Sequence, residues 1–253
     1  MLDKIGLMAY IAIALAAFIL LPNAYASYYV KNINTTVYLN SNNSAFVHEA
    51  IAVNISNSSF IEYTIDRSNI NLNLSAWQSL ISPKITPHII NPRMGVYGLN
   101  LLPGPLSKKN GQGSTYIYLT YYVSNITAAN QIAPRTTLYV FNASFLNFAR
   151  GAGGAVLGSN TTLNIVLPNT SKLIVAYPLP DIVNSSTNAK EMLTWENGEP
   201  LYNFKLVFET QESLSEEVIS FFANVYSSLG LFSYALIAAV IALIIFYTYV
   251  KTR

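Results

Sequence analysis

The sequence predicts a mainly β chain: an extracytoplasmic β-sandwich ectodomain, then an amphipathic juxtamembrane helix and one C-terminal transmembrane helix. Three observations predict it. Period-2 runs rich in Tyr, Val, Ile and Phe, bounded by Gly, Pro and Asn, fill the middle of the chain. An apolar segment stands at each end. Charged residues are only 10% of the whole, so a hydrated surface has to be made from Asn, Ser, Thr and Tyr.

The N-terminus has the pattern of an export signal. Lys4 provides a positive start, and Ile5 to Leu21 is apolar except at Gly6 and Tyr10. Ala24-Tyr25-Ala26 then offers small residues at the −3 and −1 positions of a cleavage site. Residues 1–26 are therefore expected to be a signal peptide, with Ser27 starting the mature chain. The apolar run, about 17 residues, is at the lower limit for spanning a bilayer, and an uncleaved anchor is the alternative.

Residues 27–212 are expected to form the sandwich. Phe46 to Asn54 alternates, with Val47, Glu49, Ile51 and Val53 on one face, and Phe60 to Ile65 follows in the same style. A few helical residues are expected from Ser75 to Ile81. Tyr116 to Val123 is the densest strand, followed by Thr136–Asn142, Leu163–Leu167, Lys172–Tyr177, Met192–Trp195 and Phe204–Glu209. Glu196-Asn197-Gly198-Glu199 is a tight-turn signal between the last two. About eight to eleven strands with few helical periods point to a sandwich. Turn residues cluster from Leu102 to Gly113, so a subdivision near 103–113 is possible, although one composite domain is preferred.

The C-terminal part changes period. Leu214, Val218, Phe221, Phe222, Val225, Tyr226 and Leu229 recur at helical spacing within a sector of roughly 140°. Ser213-Leu214-Ser215-Glu216 is a capping-box pattern. Residues 213–228 are thus an expected juxtamembrane helix whose face Leu214, Val218, Phe221, Phe222, Val225 and Tyr226 contacts the sandwich, lipid headgroups or a partner helix. Leu229 to Tyr249 carries no charge and at 1.5 Å per residue spans roughly 31 Å. Phe246, Tyr247 and Tyr249 stand at its end, followed by Lys251 and Arg253. That places the tail 250–253 in the cytoplasm and the main domain outside, in a single pass. With no proline between Ser213 and Tyr249, and Gly230 the only strong interruption, a continuous helix is expected there.

Composition narrows the partners. The 11 Lys plus Arg and 11 Asp plus Glu of residues 27–228 cancel, so the charge that dominates nucleic-acid binding is missing. Ten Asn-X-Ser/Thr sequons make glycosylation candidates of Asn34, Asn42, Asn54, Asn57, Asn73, Asn125, Asn142, Asn160, Asn169 and Asn184. Cysteine is absent. Export, no cysteine, low charge and abundant Tyr, Asn, Ser and Thr together resemble archaeal surface-layer and envelope glycoproteins. That resemblance is one of composition and rests on no motif. Few carboxylates also suit acidic surroundings.

Catalytic signals are few. His48 and His88 are 40 residues apart, and neither has a second His at ligand spacing. His48 is expected to be structural or superficial, and His88 to lie in an irregular stretch. No Gly-X-Ser-X-Gly elbow is present. Glu191, Glu196 and Glu199 could be imagined as a glycosidase pair, and Asp181, Glu196 and Glu199 as calcium ligands. Decoration of a hairpin is the simpler reading. Gly151 to Gly158 lacks the Gly-Lys-Ser/Thr ending of a phosphate loop. The tyrosine-rich strands could stack sugars, with core packing preferred. No catalytic, cofactor or metal site is expected. The expectation is a non-enzymatic cell-envelope surface glycoprotein that is structural, anchoring or adhesive. The alternative is an accessory subunit docking onto a larger membrane complex. Either way the partners are the lipid bilayer and other envelope or membrane proteins, the chain itself being one candidate.

Overall fold

In a computed structural model, residues 28–69, 72–133, 135–184 and 191–211 are described, together with isolated positions between 218 and 247. The signal-peptide reading of residues 1–26 lies outside them.

The described chain is mainly β. The largest sheet is built on β1 (Tyr28–Leu39) and β2 (Ala45–Ile55), an antiparallel hairpin closed through Asn40–Ser44. β5 (Gln112–Val123) pairs with β2, and β3 (Tyr97–Pro103) and β4 (Ser107–Lys109) pair with β5. On the other side β10 (Thr161–Val166) runs parallel to β1, then β13 (Met192–Glu196) and β12 (Ile182–Asn184) complete eight strands. A second, antiparallel sheet has the order β11 (Ser171–Tyr177), β15 (Lys205–Gln211), β7 (Thr136–Phe141), β6 (Thr127–Ala133). A third, small sheet joins β14 (Pro200–Tyr202), β9 (Gly154–Val156) and β8 (Ala149–Gly151).

One apolar core serves the two larger sheets. Alternation turns Val37, Val47, Ile51, Ile117, Leu119, Leu163 and Ile165 inward from the first, and Tyr139, Phe141, Leu206 and Phe208 inward from the second. Tyr139 stacks on Phe208 at 5.1 Å, and Phe204 bridges Phe141 and Trp195 edge-on at 5.6 and 5.3 Å. Each fully buried aromatic or large aliphatic side chain contributes roughly 1.5–3 kcal/mol. Both flanks of the Leu102–Gly113 stretch feed this core. The stretch itself carries β4, which doubles back on β5 through Asn110 and Gly111, both with positive φ, as a two-residue hairpin turn demands.

Two local expectations are corrected. Phe60–Ile65 is not a strand but the first part of α1 (Phe60–Ser68), with Glu62 in its first turn and Arg67 in its last, each matching the helix dipole. Phe60 and Tyr63, three residues apart, are buried, while Ile61 and Ile65 are 77% and 65% exposed. The period that wins is helical, and packing overrides the β-branched composition. Tyr63 donates to the Gly104 carbonyl at 2.7 Å and meets the Trp77 ring edge-on at 6.0 Å. Trp77 belongs to α2 (Leu74–Leu80), the short helix expected around Ser75, which Asn73 caps by accepting from the Ala76 N–H at 3.0 Å.

The Glu196–Glu199 turn forms, with Asn197 and Gly198 at positive φ, but it does not join paired strands. β13 pairs with β10 and β12, whereas β14 goes to β9 and β15 to β11 and β7. Gly151–Gly158 contains the turn of the β8–β9 hairpin. Asn and Thr on β1, and strands of three residues, explain why the fold holds more strands than the sequence pattern showed.

Among the described residues no helix is long and apolar enough to cross a membrane. Most of Leu229–Tyr249 lies outside the described residues, as do Leu214, Phe221, Phe222 and Val225. Val218 and Tyr226 are helical and half-exposed. Gly230 takes φ +55° and donates its N–H to the Tyr226 carbonyl at 2.8 Å. A left-handed residue bonded in this way ends a helix, and it stands at the one strong interruption the sequence carries between Ser213 and Tyr249, while most of that segment lies outside the described residues.

Candidate functional site

The most unusual chemistry inside the fold is a carboxylate. Glu49 takes an inward position on β2 between Val47 and Ile51 and is fully buried. A charge there must be matched by donors, and three reach it. His88 donates its backbone N–H to Oε1 at 2.7 Å, and its ring Nδ1 meets Oε2 at 2.6 Å. Tyr121, inward on β5, donates its hydroxyl to Oε1 in a short hydrogen bond. Burial, then the Glu49 charge and the hydrogen bond to it, push the Tyr121 hydroxyl well above its ordinary pKa, so it stays protonated as a donor.

The segment carrying His88 is held at several points. Ile85 and Ile89 are buried, and the Ile89 N–H donates to the Tyr121 oxygen at 3.1 Å. Asn147 donates its N–H to the His88 carbonyl at 2.7 Å and its amide to the Pro87 carbonyl at 3.1 Å. Phe148 stacks on the imidazole at 5.2 Å. His88 also lines a cleft of about 400 Å³ with Lys31, Lys84, Thr86, Asn147 and Ser159. Among the described residues its side chain makes hydrogen bonds to Glu49 alone. The arrangement orients an imidazole and pins a loop to a sheet, and it brings no nucleophile to hydrogen-bond distance.

Sequence reasoning placed Glu49 on the apolar face of its strand but missed its partner 39 residues on. The signal was a Glu at an inward position, which requires donors from somewhere. His48 faces outward and stacks on Tyr118 at 5.7 Å, so the two histidines lie on opposite sides of the large sheet. Among the carboxylates, Asp181 and Glu199 come together. Burial first, and then the Asp181 charge and hydrogen bond, raise the Glu199 carboxyl above its ordinary value. Asp181 also accepts from the Glu196 N–H at 2.8 Å.

Nine of the ten sequon asparagines, Asn34, Asn42, Asn57, Asn73, Asn125, Asn142, Asn160, Asn169 and Asn184, are exposed, and Asn54 is half-buried. Asn42 and Asn142 each accept from the N–H and hydroxyl of their own sequon serines, Ser44 and Ser144. Of the dense tyrosine strand, Tyr121 is core, whereas Tyr116 and Tyr122 are exposed and Tyr118 is half-buried. Tyr122 belongs to a cross-strand aromatic row running from Tyr38 through Phe46 and Tyr122 to Tyr97, with ring centroids 6.0, 5.2 and 5.6 Å apart. No protein-family model and no curated protein matches this chain.

Proposed function

We propose that this chain is a non-enzymatic cell-envelope surface glycoprotein: an exported β-sandwich ectodomain held by one C-terminal membrane span, with a structural, anchoring or adhesive role. The observation that carries it is the surface. Sequons scattered from residue 34 to residue 184 bring nine exposed asparagines and one half-buried to a fold with few charges. Glycan is the natural source of solubility for such a surface. The charge-free stretch Leu229–Tyr249 followed by Lys251 and Arg253 supports the anchor and its orientation. Ala24-Tyr25-Ala26 supports export with cleavage before Ser27.

A second reading, an accessory subunit of a membrane complex, is favoured by one observation. Val218 and Ile219, on the juxtamembrane segment, are 50% and 67% exposed, an apolar surface available to a partner. The test is to extract native membranes with alkaline carbonate, then purify the protein in mild detergent. The glycoprotein reading expects it in the membrane pellet, with mass above that of residues 27–253. A soluble protein of bare polypeptide mass would overturn it, and a stoichiometric co-purifying membrane protein would favour the second reading.

A further inference from the structure

The outward face of the large sheet places a sequon beside an aromatic wall. Register aligns Asn34 on β1 with Ala50 on β2, and Ala50 with Tyr118 on β5. The next outward row is Asn32, Ala52 and Tyr116. Two methyl side chains therefore separate asparagines along one side from tyrosines along the other, and the shallow trough between them is half-open at Ala50 and closed in at Ala52, which is buried. His48, Tyr118 and Tyr116 form a row of near-parallel rings, 5.7 and 5.9 Å apart and tilted by 22° and 18°. Tyr116 is 49% exposed. The outward positions of these three strands, from Asn32 to Tyr38, Phe46 to Asn54 and Ser114 to Tyr122, are Asn, Thr, Ser, Ala, His, Phe and Tyr, and none is charged, Glu49 being turned inward.

We propose that this trough is filled by carbohydrate that the chain itself carries on Asn34, a deepening that rests on the glycoprotein reading above. The first sugars of the linked chain lie over Ala50 and stack their C–H faces on Tyr118 and Tyr116. Their hydroxyls meet the neutral donors and acceptors of Asn32, Thr120 and His48. Asn34 and Tyr118 are two strands apart, about 10 Å, within reach of a short glycan. The Asn34 amide is already oriented. Asn164 donates to its Oδ1 at 2.7 Å, while among the described residues its Nδ2 makes no hydrogen bond. Nδ2 is the atom glycosylation uses. It attacks the anomeric carbon of a lipid-phosphate-linked oligosaccharide on a transferase, the C–O bond to phosphate breaks, and the amide proton goes to the transferase base. A second sequon, Asn54, opens on the same face opposite Ser114, so a docking protein would have to avoid two glycans. That favours sugar over protein as the occupant.

The experiment compares full-length protein purified in detergent from native membranes with Asn34→Gln and Asn42→Gln variants from the same host. Asn42 is exposed in the β1–β2 turn, beyond the trough. Peptide mass spectrometry reads occupancy, and tetranitromethane labelling reads Tyr116 against Tyr177, which is 54% exposed on β11. The expected result is glycan on Asn34, a several-fold rise in Tyr116 nitration in Asn34→Gln, and a lower thermal midpoint in that variant alone. A Tyr116→Ser, Tyr118→Ser double variant should lose the same thermal increment, and adding Asn34→Gln to it should lose nothing more. Asn34 bare while other sequons are occupied would overturn the trough and leave the glycoprotein reading standing. All ten sequons bare would overturn both. An occupied Asn34 with unchanged Tyr116 labelling would overturn it too, as would a native oligomer that Tyr118→Ser dissociates.

Discussion

Glu49 is gripped twice by a single residue: the His88 N–H holds one carboxylate oxygen at 2.7 Å and the His88 Nδ1 holds the other at 2.6 Å. A ring and a backbone donor from the same residue fix both position and rotation of the loop from Ile85 to Asn91 on β2. Tyr121 adds the third hydrogen bond from β5, so two strands and a loop converge on one carboxylate. Removing it leaves three donors buried without an acceptor. Glu49→Ala should cost about 3–5 kcal/mol and Tyr121→Phe about 1–3 kcal/mol. Glu49→Gln should fall between them, because the imidazole can change tautomer to accept from the new amide. Denaturant unfolding followed by Trp77 and Trp195 fluorescence checks the order.

That cluster also marks where the sequence stops being legible. Alternation identified the inward face of β2, Glu49 included, because a strand's side-chain period is local. Which donor would satisfy Glu49 depends on a loop that returns to the strand after α1 and α2, and no local pattern encodes that return. α1 was missed for a related reason. Phe60, Ile61, Tyr63 and Ile65 fit both a strand and a helix, and the choice is made by distant residues, Gly104 in the loop after β3 and Gly113 on β5. Sequons, by contrast, are read directly, and their exposure follows from the polarity of Asn itself.

The close approach of α1 gives a prediction about β5. A Cβ added to Gly113 would stand 2.5 Å from Phe60 Cε1 and 2.8 Å from Leu106 Cδ1. The Phe60 ring cannot move far, since it is buried. Gly113→Ala should therefore cost about 1–3 kcal/mol, and Phe60→Ala combined with it should cost less than the sum of the two. Equal additivity in a double-mutant cycle would mean that α1 does not rest on Gly113.

The Asp181–Glu199 pair sets a pH dependence with a definite sign. Glu199 has a carboxyl raised in the folded state from its ordinary 4.5, chiefly by burial and then by Asp181. Its contribution to stability is fully present below that unfolded value and is lost as pH rises through the folded value. Asp66, raised by burial, acts in the same direction. Glu199→Gln keeps a neutral partner for Asp181 at every pH. The variant should match the parent near pH 4 and exceed it at pH 7, by less than about 1 kcal/mol because the site is partly solvated. Thermal melts of both proteins across pH 4–7 give the comparison, and parallel curves would count against the pair.

The last prediction concerns Gly230. Its φ of +55° and the bond from its N–H to the Tyr226 carbonyl close the helical stretch at Tyr226, Ser227 and Ser228. Among the described residues no atom lies within 4 Å of the position a Cβ would take, so an alanine there meets no steric obstacle from them. What it meets is backbone strain, roughly 1–2 kcal/mol for an L-residue in the left-handed region, set against alanine's preference for a helix interior. Gly230→Ala should therefore straighten the connection between the segment before residue 230 and the apolar one after it. The chain has no cysteine, so Val218→Cys with Ala238→Cys gives a clean pair for spin labels in detergent or bilayer. Twenty residues of unbroken helix separate such positions by about 30 Å. The parent pair should fall clearly short of that distance, and the Gly230→Ala background should lengthen it toward the helical value. A parent distance already near 30 Å would mean that Gly230 does not turn the chain, and any partner would then meet one straight helix.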